Sequence, residues 1–377
     1  MAQVLVNGRV LTPHGLAAAT VLVEGDRIAE VRPPVTGEPG IDLQGGYLLP
    51  GFIDTQVNGG GGALFNDAPS VEAIATIGAA HRAFGTTGFL PTLISDDLSA
   101  VASAIAAVDA AIAAGVPGVL GIHIEGPFLS ANRKGIHDAS KFRVLDDAAF
   151  DLLTSLKRGK TLVTLAPEAT TPAMIRRLVE AGVVVAAGHT NADYDTIRQA
   201  LASGLTGFTH LFNAMSPLTS REPGAVGAAL EDAASWCGLI ADGRHVHPAV
   251  LRIALRARRL DRFMLVTDAM SAVGTLEKTF TVQGRVIHVV DGVCVDENGT
   301  LAGSHLDMAA AVRNIISIAG VSLAEASHMA SAAPSAFLGL SDHLGGIVQG
   351  QRADLVHANE ALIVQQSWIG GARYAAA

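Results

Sequence analysis

The chain has 377 residues, 49% of them hydrophobic and 16% charged, with a formal net charge of -9. That composition belongs to a protein with a large buried core and excludes a disordered chain. No basic cluster suggests a nucleic-acid or membrane surface. Two cysteines, Cys237 and Cys294, cannot form a disulfide scaffold and sit in no CxxC pair. Both read as small apolar residues in a reducing compartment.

The first residues, MAQVLVNGRV, are strand-like and contain no signal-peptide core, so a cytoplasmic protein is expected. Residues 1–50 alternate short strands with turns at Asn7-Gly8 and Gly25-Asp26. From residue 51 the pattern changes to strand, then helix, repeatedly. The apolar runs are GFIDTQV, TGFLPTL, VLGIHIE, LVTLAPE, VVVAAGH, GFTHLFN, WCGLIAD and FMLVTDA. Helical stretches such as 70–84, 173–181 and 194–202 lie between them. The Ala-rich stretch 101–114 is too short to span a bilayer and is interrupted by Asp109, so it reads as a barrel helix. Eight such units give an α/β fold, a (β/α)8 TIM-like barrel over 51–346. A doubly wound open sheet competes, but no GxGxxG follows an early strand. Residues 279–301 read as β-hairpins inserted after the eighth strand, above the barrel mouth. Residues 347–377 return to short strands and are expected to join 1–50 in one small β-sandwich.

Four of the runs end on a polar residue able to do chemistry: Glu125, His189, His210 and Asp268. In a parallel barrel the C-terminal strand ends converge on one mouth, so these residues can meet there. One acid and two imidazoles suit a divalent cation, Zn2+ first, with Fe2+, Co2+ and Mn2+ also accepting the set. Three ligands leave a position open to water, and Asp268 is placed to carry that water's proton. Gln56 and Asn58 end the first strand. They either face the metal and its water or, for Asn58 ahead of GGGG, cap a loop. Glu168 reads as a helix cap or a partner behind the ligands.

Three further residues lie in loops at the mouth: His137, Arg221 and His245. Arg with His suits an oxyanion such as phosphate, though each alone also reads as an ordinary loop residue. Arg133 and Lys134 read as a solvated charge pair, and His81, His288 and His357 as structural.

The run PGFIDTQVNGGGG resembles the PGxIDxHxH opening of the amidohydrolase superfamily, and GGIVQGQRADLV resembles its C-terminal signature. HIEGPFL, KGIH, AGHTNA, THLFNAM, DGRHVHP and VTDAM together resemble the N-acetylglucosamine-6-phosphate deacetylase family, over nearly the whole chain. The resemblance implies hydrolysis of N-acetyl-D-glucosamine 6-phosphate to D-glucosamine 6-phosphate and acetate, in amino-sugar catabolism and cell-wall sugar recycling. It implies Glu125, His189 and His210 as metal ligands, Asp268 as acid and base, and His137 on the acetamide carbonyl. Asn213, Ala214 and the stretch Leu301, Ala302 and Gly303 would contact substrate. Arg221 and His245 would hold the phosphate across the interface of a homodimer. Gln56 and Asn58 replace two histidines of binuclear superfamily members, which implies one metal per subunit. The rivals are another amidohydrolase, with Arg221 and His245 on a carboxylate, and a catalytically dead barrel kept for binding.

Overall fold

The computed structural model describes residues 2–375. Met1, Ala376 and Ala377, at the outer ends of the 1–50 and 347–377 segments, lie outside the described residues. Eight parallel strands form the central sheet: Phe52–Val57, Thr86–Ile94, Gly121–Glu125, Lys160–Leu165, Val184–Ala187, Gly207–Phe208, Trp236–Leu239 and Phe263–Leu265. Each pairs with the next in sequence. The ring closes where Val57 bridges Ala269 in parallel and the Asp268 N–H donates to the Gln56 carbonyl at 3.0 Å. Nearly every strand residue is buried, because helices cover the outside and side chains fill the inside. Burial on both faces is why the strands read as unbroken apolar runs.

The flanking helices begin where the chain supplies a cap. In Tyr194–Ala202 the Asp193 carboxylate accepts the Thr196 N–H at 2.8 Å, and Ile197 and Ala200 face the sheet. Met308–Ala319 stops at Gly320, whose φ of +70° is the left-handed conformation that ends helices.

Inside the ring, side chains of alternate residues stack in layers. The lowest layer is apolar, with Ile53, Leu90, Leu162 and Met264 packed on Phe337. Above it runs a polar chain from three strands and the residue after Gly207–Phe208. The Thr92 hydroxyl lies 3.1 Å from His123 Nδ1, His123 Nε2 lies 2.8 Å from the Thr164 hydroxyl, and that hydroxyl lies 2.6 Å from Thr209 Oγ1. Burial pushes the His123 imidazole down to about 4. The top layer opens to the mouth and carries the candidate site.

A separate mixed sheet of eight strands is built from both ends of the chain. Its first half includes Ala2–Thr12, Gly15–Glu24 and Tyr47–Pro50; Leu355–Ala358, Val364–Ile369 and Ala372–Ala375 complete it. Leu49 sits opposite Val356. The sheet has its own apolar cluster around Leu5, Val21, Leu48, Leu355 and Trp368. The fully buried Trp368 donates its indole N–H to Gln3 Oε1 at 3.0 Å. A third, antiparallel sheet follows the eighth barrel strand: Thr279–Val282, Arg285–Val290, Val293–Asp296 and Leu301–Ser304. Its Val282, Ile287 and Ala302 pack against Leu64, Ile94, Ile136 and Met270 at the barrel mouth.

Candidate active site

Glu125, His189 and His210 are buried and converge at the mouth. His189 Nε2 and His210 Nε2 are 3.1 Å apart. Glu125 Oε1 lies 3.0 Å from the His210 nitrogen and 3.3 Å from the His189 nitrogen. His189 Nδ1–H donates to the Arg133 carbonyl at 2.8 Å, so Nε2 keeps its lone pair. The His189 lone pair and the Glu125 oxygen both face His210 Nε2, and such a cluster needs a proton or a cation between its atoms. Ligand atoms ~2.0–2.1 Å from a tetrahedral ion stand about 3.3 Å apart, so these residues fit a divalent metal. Burial works against the Glu125 carboxylate, but hydrogen bonds and charge from His189 and His210 outweigh it and hold the group well below its usual range. Burial likewise opposes the His210 imidazolium, and Glu125 outweighs it and raises the group. A proton thus stands where a cation would bind, and the two would compete.

Asp268 is tied to this group through amides. Gln56 Nε2 donates to both Glu125 oxygens and to Asp268 Oδ1, each at 3.2 Å. Asn58 Nδ2 donates to the same Asp268 oxygen at 2.6 Å. The Asp268 Oδ1 atom is therefore engaged twice, which leaves Oδ2 as the oxygen for a proton. Burial, followed by the charge of Glu125, pushes this carboxyl up to about 6. His189, His210 and Asp268 all have left-handed backbone, with φ of +47°, +32° and +53°. Such strain in non-glycine residues persists where surrounding structure enforces it, and it clusters at functional sites.

A cavity of about 500 Å3 opens over the group, lined by Asn58, Glu125, His137, His189, His210, Asn213, Ala214, His245, Asp268, Leu301 and Gly303. His137 is buried in its wall, its ring centroid 4.4 Å from that of His189. The Ser95 backbone N–H donates to His137 Nδ1 at 3.3 Å, and the Ser95 hydroxyl lies 2.8 Å from the same atom. Nδ1 is thus an acceptor, and the ring proton sits on Nε2, facing the cavity. Burial, then the neighbouring His189, pushes the imidazole down to about 3, so it is neutral. His245 Nδ1 lies 2.6 Å from an Asp242 oxygen, which orients the ring. Burial opposes the Asp242 carboxylate, but its bond to His245 holds it below the usual range.

Not every sequence candidate reaches the cavity. Arg221 is exposed and lies outside its lining, Ala302 turns inward to pack, and Gln56 lies beneath it, between the carboxylates. Glu168 accepts the Thr190 hydroxyl and the Asn191 N–H, each at 2.6 Å, and so steadies the turn that carries His189. Arg133 and Lys134, read as a solvated pair, line the cavity. Sequence reasoning missed Ser95, Gln283 and His123. Gln283 left a faint signal, since it precedes Gly284 at a hairpin turn; a serine after a strand leaves none. A second cavity, of about 490 Å3, lies between the end-built sheet and the helices after the barrel, and includes none of these residues.

A closed parallel barrel with a carboxylate and two imidazoles at its C-terminal mouth is the frame of a hydrolase fit to hold a metal ion. Residues 47–373 match the model of the amidohydrolase family, and the chain belongs to that family. It is 42% identical to the N-acetylgalactosamine-6-phosphate deacetylase of a Shewanella species, over 98% of this chain and 94% of that protein. It is 36% identical to the N-acetylglucosamine-6-phosphate deacetylase of Haemophilus influenzae, over 94% of each chain. The crystal structure of N-acetylglucosamine-6-phosphate deacetylase from Pasteurella multocida superposes with a TM-score of 0.96 at 33% identity, covering 100% of both chains.

Proposed function

We propose that the protein removes the acetyl group from N-acetyl-D-glucosamine 6-phosphate, giving D-glucosamine 6-phosphate and acetate. The observation that carries this reading is Asp268 held beside the Glu125, His189 and His210 group under one cavity of substrate size. Glu125, His189 and His210 hold one divalent metal, Zn2+ first, with Fe2+, Co2+ or Mn2+ as alternatives. When bound, that ion supplies Lewis acidity, which acidifies water and draws charge onto a carbonyl oxygen. Asp268 Oδ2 takes the proton of the attacking water while Asn58 and Gln56 hold Oδ1 still. The carboxyl then gives that proton to the departing amine, because an amide anion is too basic to leave. Burial of the carboxyl favours its protonated form, which eases the return of the proton in the second transfer. His137 donates from Nε2–H to the acetyl oxygen as negative charge develops there; a neutral imidazole does this without losing its proton.

Asn213, Ala214, Leu301 and Gly303, which line the cavity, bind the sugar, while Ala302 packs behind them. His245, oriented by Asp242, takes the phosphate together with Arg221 from the other subunit of a homodimer. The exposure of Arg221 outside its own cavity favours that arrangement. No helix among the described residues is long and apolar enough to cross a membrane. We place the enzyme in the cytoplasm because a phosphorylated sugar does not leave it unaided.

A second reading, the C4-epimeric N-acetyl-D-galactosamine 6-phosphate, is favoured by the name of the relative at 42% identity. Acetate release from both phosphates and from unphosphorylated N-acetylglucosamine, by protein of measured metal content, tests the proposal. Faster turnover of the galacto substrate would select the second reading. No release from either phosphate would reject both.

A further inference from the structure

The inserted sheet does more than cover the mouth. Its first hairpin turns at Gln283 and Gly284, with φ of +46° and +79°. Two positive φ values in a two-residue turn suit Asn, Asp or Gly, and glutamine is out of place there by conformation alone. Its side chain supplies the reason. Gln283 Nε2 donates to the Ser95 carbonyl at 2.6 Å, and Gln283 Oε1 accepts the Asp138 N–H at 2.9 Å. Ser95 holds His137 Nδ1 from behind, and Asp138 is the next residue after His137. One amide thus joins the backbone on both flanks of this imidazole. The packing agrees: Val282, next to Gln283, sits in one apolar cluster with Ile94, before Ser95, and Ile136, before His137.

We propose that Gln283 and Ser95 are positioning residues for His137. Ser95 fixes Nδ1 as an acceptor, so the proton stays on Nε2 toward the cavity. Gln283 clasps the inserted sheet to the Ser95 peptide and the His137 loop, so seating of that sheet and aim of the imidazole go together. Without the clasp, the Ser95 peptide and the His137 loop separate, and the donor faces the acetyl oxygen only part of the time.

The proposal rests on the deacetylase reading, and its test keeps the two apart. Gln283→Leu should lower kcat about tenfold, the scale of one well-placed hydrogen bond, with KM within about twofold and metal content unchanged. In a His137→Asn background the same substitution should change kcat by less than about twofold, because both act through one group. Nitrogen NMR of labelled imidazoles should show His137 Nδ1 unprotonated in the wild type and a shift toward tautomer exchange in Gln283→Leu and Ser95→Ala. If Gln283→Leu does not fold, the near-isosteric Gln283→Glu, which keeps the acceptor for Asp138 and loses the donor to Ser95, is read in the same way. Equal loss with and without His137, an effect on KM alone, wild-type kcat in the variant, or an unchanged His137 tautomer would overturn the clasp. If the wild type releases acetate from neither sugar phosphate, the functional reading falls and the imidazole spectra alone decide the clasp.

Discussion

Asp54 lies on the first barrel strand, fully buried, two residues before Gln56. Its Oδ1 accepts the N–H of Gln56 at 3.2 Å and of Thr267 at 3.3 Å. Its Oδ2 lies 2.5 Å from Thr267 Oγ1. Burial pushes the carboxyl from 3.8 up to about 7 against these hydrogen bonds, and the charge of Asp268 adds to the rise. In the neutral form the Oδ2 proton goes to Thr267 Oγ1, and the threonine passes its own to the Gln56 carbonyl at 3.4 Å. The folded value lies above the unfolded one. The stability that the neutral carboxyl permits is therefore full below pH ~4 and is lost as the pH rises through ~7. At 1.36 kcal/mol per unit the whole span is about 4 kcal/mol, of which about 2–3 kcal/mol falls between pH 5 and pH 8. Asp54→Asn puts an N–H where the protonated oxygen stood and leaves the other oxygen for the two amides. Urea unfolding of both proteins at equal metal content should show the variant gaining about 2–3 kcal/mol on the wild type between those pH values. A difference that stays constant with pH would refute the buried, neutral carboxyl.

Asp268→Asn should keep its oxygen toward Asn58 and Gln56 and retain the metal, while kcat falls at least ~10²-fold; a metal-replete variant with normal kcat would remove Asp268 from the chemistry. Dialysis against metal-free buffer followed by elemental analysis should give one ion per subunit, since Gln56 and Asn58 are spent on carboxylates; a stable ratio near two would point to a second site. Stripping that ion should lower the melting temperature as well as abolish turnover, because a ligand that binds only the folded state stabilises it. Mixed dimers of Asp268→Asn with Arg221→Ala should recover activity at limiting substrate, toward about half of wild type, one of the two sites being whole. Verified subunit exchange without any gain would place Arg221 in its own subunit's site.

The barrel was legible because strands buried on both faces are mostly apolar, so a polar residue at the end of a run stands out. Glu125, His189, His210 and Asp268 were found that way. Direction was harder to read. Gln56 and Asn58 end a strand as expected, yet their amide hydrogens point at carboxylates, which depends on how the first and last strands close the ring. Arg133 looked like a surface charge because its side chain dominates the sequence pattern, while its backbone carbonyl sets the tautomer of His189. Ser95 and Gln283 are 188 residues apart and of ordinary type. Only the fold over of the inserted sheet brings them to one imidazole.

The sheet shared by the two ends of the chain has a consequence for the protein as it is made. Tyr47–Pro50 pairs with Leu355–Ala358, and Gln3 meets the indole of Trp368. At ~5–20 residues per second, the about 300 residues between those strands take roughly 15–60 s to synthesise. Through that interval Leu5, Val21 and Leu48 lack the Leu355 and Trp368 side that covers them. The early strands are then an unfinished apolar edge on a nascent chain whose barrel is still assembling, a form that chaperones and proteases can engage. A substitution at Trp368 should therefore lower the yield of folded protein in cells more than it lowers the stability of molecules that have already folded.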